Sequence, residues 1–292
     1  MRNFLRARLV LDVMFTILVT GATGNVGRPL VTQLAASGVD VRAVTRNPDD
    51  AGLPPRVSVH RSARDALPGS DAVFLNSRAL GGELHATVDA ARAAGVRRLV
   101  ALSAINADDD FARQPSRVRG DRNKEIDDLA AGSGLEWVSL RPSVFASNFA
   151  GMWAGQIRGG DVISGPYATA STAPIADEDI SAVAAHALLT DELVGQRIPL
   201  TGPQSLTNAE LVETIGATLG RPLEYNELPP EQVRQRFVDI GFTEAFADAY
   251  MALLLETVGQ PALVTHDVGK ILDRPAMPFA GWAATHRRLF TV

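Results

Sequence analysis

Short apolar runs alternate with amphipathic stretches along the first half of the chain. The predicted strands are four to seven residues long and cover residues 15–19, 39–45, 57–60, 71–75, 98–102 and 137–140; the strand at 57–60 alternates apolar and polar residues. Apolar residues at helical spacing separate the runs, as in Leu30, Val31 and Leu34 and in the segments 83–94 and 124–131. This alternation predicts an α/β fold, in which a doubly wound parallel sheet carries helices on both faces.

The pattern changes after about residue 150. Glycine-containing turns at 159–160 and 165–166 interrupt short apolar pieces, and an Ala-rich helix then runs to Leu189. A further strand is predicted at 197–201, and helical stretches are predicted at 208–219 and 231–258. We expect much of this half to form a smaller C-terminal lobe over the carboxyl ends of the strands, with a cleft beneath it.

The first strand leads into a turn whose glycines are spaced three residues apart. Gly21 suits a tight turn, Gly24 leaves room for a pyrophosphate to approach backbone N–H groups, and Gly27 lets the next helix pack closely on the strand. The helix N-terminus adds N–H donors and a partial positive charge. A glycine-rich turn is often only a turn, but the strand–turn–helix–strand order favours dinucleotide binding. The residues assigned to the cofactor here are Gly21, Thr23, Gly24, Asn25, Val26 and Gly27.

The end of the second strand indicates which dinucleotide is bound. A residue that reads the ribose belongs about twenty residues beyond the glycines. The chain has Arg46 there, and neither Val44 nor Thr45 supplies a carboxylate. A carboxylate would bind the ribose 2′-hydroxyl and repel a 2′-phosphate, whereas an arginine pairs with the phosphate. The prediction is therefore NADP(H) rather than NAD(H); the alternative is that Arg46 is a solvated surface charge.

Polar residues follow the fourth and fifth strands, where ligands of such sheets bind. Asn76 and Ser77 are predicted to contact the ribose or nicotinamide side of the cofactor, with a turn-forming pair as the alternative. Arg78 is assigned to a phosphate or an acidic substrate, with a solvated arginine as the alternative. Ser103 is the candidate to hold a substrate carbonyl and to touch the cofactor, assisted by Asn106, unless its hydroxyl caps the strand end.

Residues after the sixth strand are predicted to line the substrate side of the cleft. They are Phe145, Asn148, Phe149 and Trp153. Their aromatic rings suit a flat apolar substrate. Packing within the core of the lobe is the alternative for each of them.

Composition narrows the function further. The chain has 292 residues, 46% hydrophobic and 21% charged, with a net charge of −5, which does not favour binding to nucleic acid. It has no cysteine, and its five histidines lack metal-ligand spacing, so no metal is expected. No apolar stretch is long enough to span a membrane, and residues 1–13 resemble an extension before Met14 more than a signal peptide. We expect a cytoplasmic protein that is a monomer or a weak dimer.

Six stretches together resemble the NmrA-like group of atypical short-chain dehydrogenases/reductases. They are VTGATGNVG at 19–27, TRNP at 45–48, GSDAVFL at 69–75, GLEWVSLRP at 134–142, IADEDI at 175–180 and LTGPQSLT at 200–207. The resemblance spans roughly residues 14–290 and implies a Rossmann fold that binds NADP(H). It divides the chain into an extension at 1–13, a Rossmann domain at 14–150 completed by 176–201, and a substrate lobe at 151–175 and 202–292.

The chain departs from the wider family at the catalytic pair. Those enzymes carry a Tyr that gives a proton and a Lys four residues later. The tyrosines here are Tyr167, Tyr225 and Tyr250, and none is followed by such a Lys. Arg117 and Asp121 stand near the positions of the pair, and Lys124 is expected on the exposed face of its helix.

Two functions are consistent with this sequence. The first is an NADPH-dependent reductase that transfers a hydride to a ketone or quinone carbonyl of an apolar or aromatic small molecule, such as a polyketide-type product. Water or a substrate hydroxyl would then supply the proton. The second is a non-catalytic NADP(H) redox sensor that acts through a protein partner, as the missing Tyr/Lys pair suggests.

Overall fold

A parallel sheet forms the centre of the protein, for which the computed structural model describes residues 15–291. The predicted extension at 1–13 lies outside the described residues. The strands, numbered along the chain, are β1 (Thr16–Thr20), β2 (Asp40–Val44), β3 (Ser58–His60), β4 (Ala72–Asn76), β5 (Arg98–Leu102), β6 (Glu136–Pro142), β7 (Val162–Gly165), β8 (Ser171–Thr172), β9 (Gln196–Leu200), β10 (Leu206–Thr207) and β11 (Glu224–Glu227). The main sheet has the order β3-β2-β1-β4-β5-β6-β9, and each of its pairs is parallel.

Helices cover both faces of this sheet and build the lobe. They are α1 (Gly27–Ala36), α2 (Ala63–Ala66), α3 (Ser77–Leu80), α4 (Leu84–Ala93), α5 (Pro115–Val118), α6 (Asn123–Ala131), α7 (Ala146–Gly159), α8 (Asp177–Leu189), α9 (Asn208–Leu219), α10 (Pro230–Asp239), α11 (Glu244–Leu255), α12 (Asp267–Leu272), α13 (Phe279–Thr285) and α14 (Arg288–Thr291). None of the helices within 15–291 is both long and apolar enough to cross a membrane.

Successive residues of a strand pack alternately in two separate hydrophobic cores, one on each face of the sheet. Ile17 and Val19 of β1 face α1, α8 and α12, whereas Leu18 between them faces α2, α4 and α6. Because both faces of the strand are covered, the whole of β1 is buried. These two layers confirm the predicted doubly wound fold.

The C-terminal lobe has a third core of its own. Apolar residues of α7, α9, α13 and α14 pack together there with Ile163 of β7 and Leu223. The paired short strands β7 and β11 lie along it, and β8 pairs with β10. The lobe follows β6, so its first helix, α7, begins at the carboxyl edge of the sheet.

The order in which strands are added to the sheet changes side between β1 and β4. To one side of β1 the strands run β2 then β3, and to the other β4, β5, β6 and β9. A crevice opens at such a reversal outside the carboxyl ends of the strands, which is where ligands bind in open α/β sheets. The glycine turn after β1 and the ends of β2, β4 and β5 therefore meet at one place.

The structure differs from the predicted elements mainly in the lobe. Helix α7 occupies 146–159, where only short apolar pieces were predicted. The prediction failed because Gly151 and Gly155 lower the helix propensity of this segment. The helix forms because its apolar face packs in the core of the lobe. The stretch 231–258 is two helices, α10 and α11, because Gly241 takes a φ of +98° between them.

Candidate functional site

The glycine turn is locked between β1, β4 and α1. Gly21 has a φ of +67°, a conformation that glycine adopts without strain. A Cβ on Gly27 would lie 2.1 Å from the carbonyl oxygen of Gly21, so α1 starts as close to the turn as a backbone allows. Thr20 holds the other side: its hydroxyl donates to Phe74 O and accepts from the N–H of Asn76. These contacts give the first and third glycines the roles predicted for them.

The N-terminus of α1 fits a pyrophosphate. Val26 is the N-cap residue, and no side chain caps the helix. Among the described residues, no hydrogen bond engages the N–H of Asn25 or Val26. Gly24 and Asn25 are exposed beside these donors. A ten-residue helix with open N–H groups and a Cβ-free approach is a suitable cradle for an anion.

Arg46 stands next to this cradle. It directly follows the Thr45 hydroxyl, which lies 3.0 Å from the hydroxyl of Thr23 in the turn. The Arg46 side chain is exposed, and within 15–291 no carboxylate pairs with it. The nearest acid in sequence, Asp49, is 3.8 Å from Arg61 instead. The guanidinium is therefore available to a phosphate on the ribose end of a cofactor.

The two polar residues at the end of β4, Asn76 and Ser77, bond to backbone N–H groups. The side-chain oxygen of Asn76 accepts from the N–H of Ala79 and caps α3. Ser77 is buried, and its hydroxyl accepts from the N–H of Arg122. Both side chains therefore bond to nearby backbone, as the turn-forming alternative predicts. The amide nitrogen of Asn76 lies on the side of the glycine turn, next to Gly21. Arg78 stays 49% exposed at this edge.

Ser103 is placed at the carboxyl edge but its proton is already used. The side chain is 4% exposed, and its hydroxyl donates to the carbonyl oxygen of Asn123 over 2.8 Å. A serine has one proton to donate, so Ser103 in this geometry caps the edge of the sheet rather than polarising a substrate carbonyl. Asn106 is half-buried, with its amide 3.5 Å from Arg113 O. In this structure Ser103 thus matches the strand-cap alternative, and Asn106 holds its amide loosely; their catalytic role stays a prediction.

The predicted substrate residues separate into two groups. Phe149 and Trp153 are 2% and 6% exposed and belong to the core of the lobe, where their ring centroids lie 5.0 Å apart and Phe149 also packs on Phe279. Burial of this kind leaves them no face toward a cleft, so the core-packing alternative describes both. Phe145 is half-buried against the sheet core, and Asn148 is exposed on α7.

The aromatic surface near the edge comes instead from α10 and α11. Phe237, Phe242, Phe246 and Tyr250 pack ring to ring, with Phe242 stacked on Phe246 at 4.4 Å. Sequence reasoning missed this cluster, although the spacing of Phe242, Phe246 and Tyr250 by four residues would have indicated it. Helix α11 packs on α5, and Tyr250 donates to the sulfur of Met152 in α7. We call α10 and α11 the aromatic hairpin; it bridges the α5 segment and the lobe.

Lys124 is on the exposed face of α6, as predicted. Its Nζ lies 2.7 Å from Asp108 and 3.1 Å from Asp128. Hydrogen bonds from Lys124 and from Arg141 lower the pKa of Asp108 to about 2. The same two carboxylates raise the pKa of Lys124, so the lysine stays protonated and ion-paired on the surface of α6.

A chain of hydrogen bonds ties the glycine turn to the lobe. Asn25 Nδ2 donates to the hydroxyl of Ser147 over 2.9 Å, and that hydroxyl donates to the buried Asp177 over 2.8 Å. The hydroxyl of Ser181, one turn along α8 from Asp177, shares its proton between Val26 O at 2.9 Å and Asp177 O at 2.8 Å. Burial raises the pKa of Asp177, against the hydrogen bond from Ser147. The lobe thereby fixes the side chain of a residue predicted to touch the cofactor.

Removal of the Ser147 hydroxyl is expected to weaken NADPH binding. In Ser147→Ala, Asn25 loses its partner, and we expect the dissociation constant to rise about fivefold, the effect of one net hydrogen bond. Fluorescence titration with NADPH measures it. Ser143→Ala is the matched control, because that hydroxyl bonds Ala173 O away from the turn. Equal affinities in the two variants would show that the lobe does not position Asn25.

The fold and the turn define a class of protein. A doubly wound sheet whose first turn forms an anion cradle at its reversal point, with an arginine at the end of the next strand, is a dinucleotide-binding Rossmann protein. Among residues 15–291, no group of His, Asp and Glu side chains is arranged to hold a metal ion.

Comparison with known proteins agrees with this class. The family described as NAD(P)H-binding matches residues 21–191. The chain is 33% identical to a (4-alkanoyl-5-oxo-2,5-dihydrofuran-3-yl)methyl phosphate reductase of Streptomyces griseus and 31% identical to an NAD(P)H azoreductase of Xenophilus azovorans. Each match covers 94% of this chain and 99% of the relative. An NADPH-dependent quinone oxidoreductase of Escherichia coli, solved with NADPH, has the same fold, with a TM-score of 0.78, 21% identity and coverage of 92% and 99%.

The chain belongs to the NAD(P)H-binding family, whose model matches more than half of it. It is accordingly an NAD(P)H-dependent oxidoreductase of small molecules. The predicted fold, cofactor class and enzyme class are confirmed.

Proposed function

We propose that the protein is an NADPH-dependent reductase that transfers a hydride to the carbonyl of a ketone or quinone on a flat, conjugated small molecule. The observation that carries the NADPH preference is the exposed, unpaired Arg46 beside the anion cradle. Two relatives covered over 99% of their length are named for reduction of an azo compound and of an oxo-dihydrofuran phosphate. A polyketide-type aromatic product is one acceptor of this kind.

Each part of the site has a role in this reaction. The N–H groups at 25–26 and the glycines bind the pyrophosphate, and Arg46 binds the 2′-phosphate. The bound reduced nicotinamide supplies the hydride. The aromatic hairpin, which packs on the α5 segment, carries the half-buried rings of Phe237 and Phe242, against which a flat acceptor packs. Water supplies the proton that completes the alcohol, since the tyrosine–lysine pair is missing.

Loss of the Ser103 hydroxyl is expected to have a small effect. Because that proton is bonded to Asn123 O, Ser103→Ala should lower kcat/KM by less than about tenfold, and it should also lower the melting temperature. An oxyanion donor would instead cost about 100-fold to 1,000-fold. Steady-state kinetics with NADPH and a quinone distinguish these results, and a fall of the larger size would restore Ser103 as a substrate donor.

The proposal is tested by turnover. Purified protein is mixed with NADPH and a panel of quinones and polycyclic aromatic ketones, and NADPH oxidation is followed at about 340 nm, the band of the reduced nicotinamide. We expect turnover with at least one member of the panel. Tight NADPH binding without turnover across the panel would contradict the proposal and favour the redox sensor.

The proposal also includes a cytoplasmic location and a monomer or weak dimer in solution. A single elution volume near that of a 31.1 kDa protein in size-exclusion chromatography is the expected result for a monomer. A volume that does not change on dilution and corresponds to a tetramer would contradict it.

A further inference from the structure

Four arginines are concentrated in the segment that crosses the carboxyl edge between β5 and α6. They are Arg113, Arg117, Arg119 and Arg122. Arg78, from the end of β4, joins them at 3.4 Å from the carbonyl oxygen of Arg119. The same segment also carries Asp108, Asp109, Asp110 and Asp121, so what matters is which of the arginines a carboxylate engages closely.

Two of these arginines, Arg113 and Arg117, form close ion pairs with carboxylates. Arg117 makes two contacts with Glu125, at 2.7 and 2.9 Å, and its guanidinium lies 3.7 Å from the centroid of the Phe111 ring. Arg113 is ion-paired with Glu256, the residue that directly follows α11. These pairs attach the segment to α6 and to the end of α11. In each pair the carboxylate balances the charge of its arginine.

The other three arginines share one distant carboxylate. Arg78 Nη1 is 4.0 Å from Asp121 Oδ2, well beyond the 2.7–2.9 Å that is typical of a charge-assisted hydrogen bond. Arg122 donates through Nη1 to two backbone carbonyls, those of Arg117 and Asp121. Arg119 is exposed, and its guanidinium faces the ring of Phe242 at 5.8 Å. Burial raises the pKa of Asp121 although all three arginines oppose it.

This loosely paired trio lies beside the reacting edge. The N–H of Arg122 donates to Ser77 at the end of β4, and the next residue, Asn123, accepts from Ser103 at the end of β5. The backbone of 122–123 is thus fixed across both strand ends. Phe242 places an aromatic face next to Arg119 on the side of the hairpin.

We propose that Arg78, Arg119 and Arg122 form an oxyanion subsite that binds a carboxylate, sulfonate or phosphate group carried by the acceptor, beside the half-buried ring of Phe242. An oxyanion at hydrogen-bond distance replaces the 4.0 Å contact with Asp121 by charge-assisted bonds. The preferred acceptor is therefore a flat molecule with an anionic substituent. That the bound molecule is a hydride acceptor rests on the proposed reductase function. Binding of the anionic group can be tested without turnover.

The kinetic test compares a naphthoquinone with its sulfonate. In Arg119→Met we expect KM for the sulfonate to rise about tenfold, the effect of one lost charge-assisted hydrogen bond, with kcat and the KM of the neutral quinone unchanged. Arg92→Met is the matched control, because Arg92 is exposed in the last turn of α4, at the opposite edge of the sheet. Equal rises in KM for both quinones would overturn the subsite.

The binding test uses probes that cannot be reduced. Calorimetry on the NADP⁺-loaded protein compares naphthalene sulfonate with neutral naphthol. Tighter binding of the sulfonate by the wild type, lost in Arg78→Met and Arg119→Met but kept in Arg92→Met, supports the subsite even if no quinone is turned over. Equal affinity of the wild type for the two probes overturns it. A loss of NADPH affinity in the variants without a loss of sulfonate affinity also overturns it, because the arginines would then bind the cofactor.

Discussion

Gly27→Ala is expected to abolish useful NADPH binding and to destabilise the protein. The added Cβ would lie 2.1 Å from Gly21 O and 2.9 Å from Ala22 Cα, and both are backbone atoms that cannot rotate away. Helix α1 must therefore move off the turn, which carries its N–H groups away from the pyrophosphate. We expect the free energy of unfolding to fall by about 1–3 kcal/mol and kcat/KM for NADPH to fall about 100-fold.

Gly155→Ala is the control for this variant. Gly155 lies inside α7 with nothing within 4 Å of an added Cβ. Alanine there should stabilise the helix by about 0.5–1 kcal/mol and leave NADPH affinity unchanged. Thermal unfolding and NADPH titration measure both effects. Wild-type affinity in Gly27→Ala would show that the close approach of α1 to the turn does not shape the cofactor site.

Arg46→Gln is expected to reverse the choice between the two dinucleotides. The substitution keeps a polar side chain but removes the charge and the planar pair of donors that match a phosphate. A lost charge-assisted interaction of about 2 kcal/mol raises KM for NADPH about 30-fold. KM for NADH should stay the same, because NADH has no 2′-phosphate. Turnover should return at high NADPH concentration, since the reacting edge is untouched.

Arg56→Gln serves as the matched control for Arg46. Arg56 is an exposed arginine just before β3, at the amino edge of the sheet. Its substitution should change neither KM. An equal rise of KM for NADPH and NADH in Arg46→Gln would mean that Arg46 supports the fold of the site rather than recognising the phosphate.

The fold was predictable because its strands are buried on both faces. Segments such as β5 read as continuous apolar runs closed by Gly and polar residues, and the structure places β5 at the predicted residues 98–102. The bounds of α9 were also predicted, since Thr207 and Glu210 form a capping box and Gly220 ends the helix in the left-handed region. Helix caps of this kind involve residues close together in the sequence, so the sequence alone predicts where the helix begins and ends.

The side-chain roles at the site were less predictable, because tertiary contacts decide them. Ser103 is at the strand end expected of it, yet the carbonyl that takes its proton comes from Asn123, twenty residues away. Phe149 and Trp153 have the chemistry of a substrate wall, but their helical phase turns them toward Phe279 in the core of the lobe. A periodic reading of 146–157 would have found both α7 and its buried face.

The central claim is that this chain transfers a hydride from NADPH to a carbonyl carbon. The most direct measurement uses NADPH deuterated at the reactive carbon of the nicotinamide ring, with an aromatic ketone as acceptor and mass spectrometry of the alcohol. We predict one deuterium in each product molecule, bound to the former carbonyl carbon, and one NADPH oxidised for each alcohol formed. An alcohol without the label, or NADPH oxidised without reduced acceptor, would contradict the account.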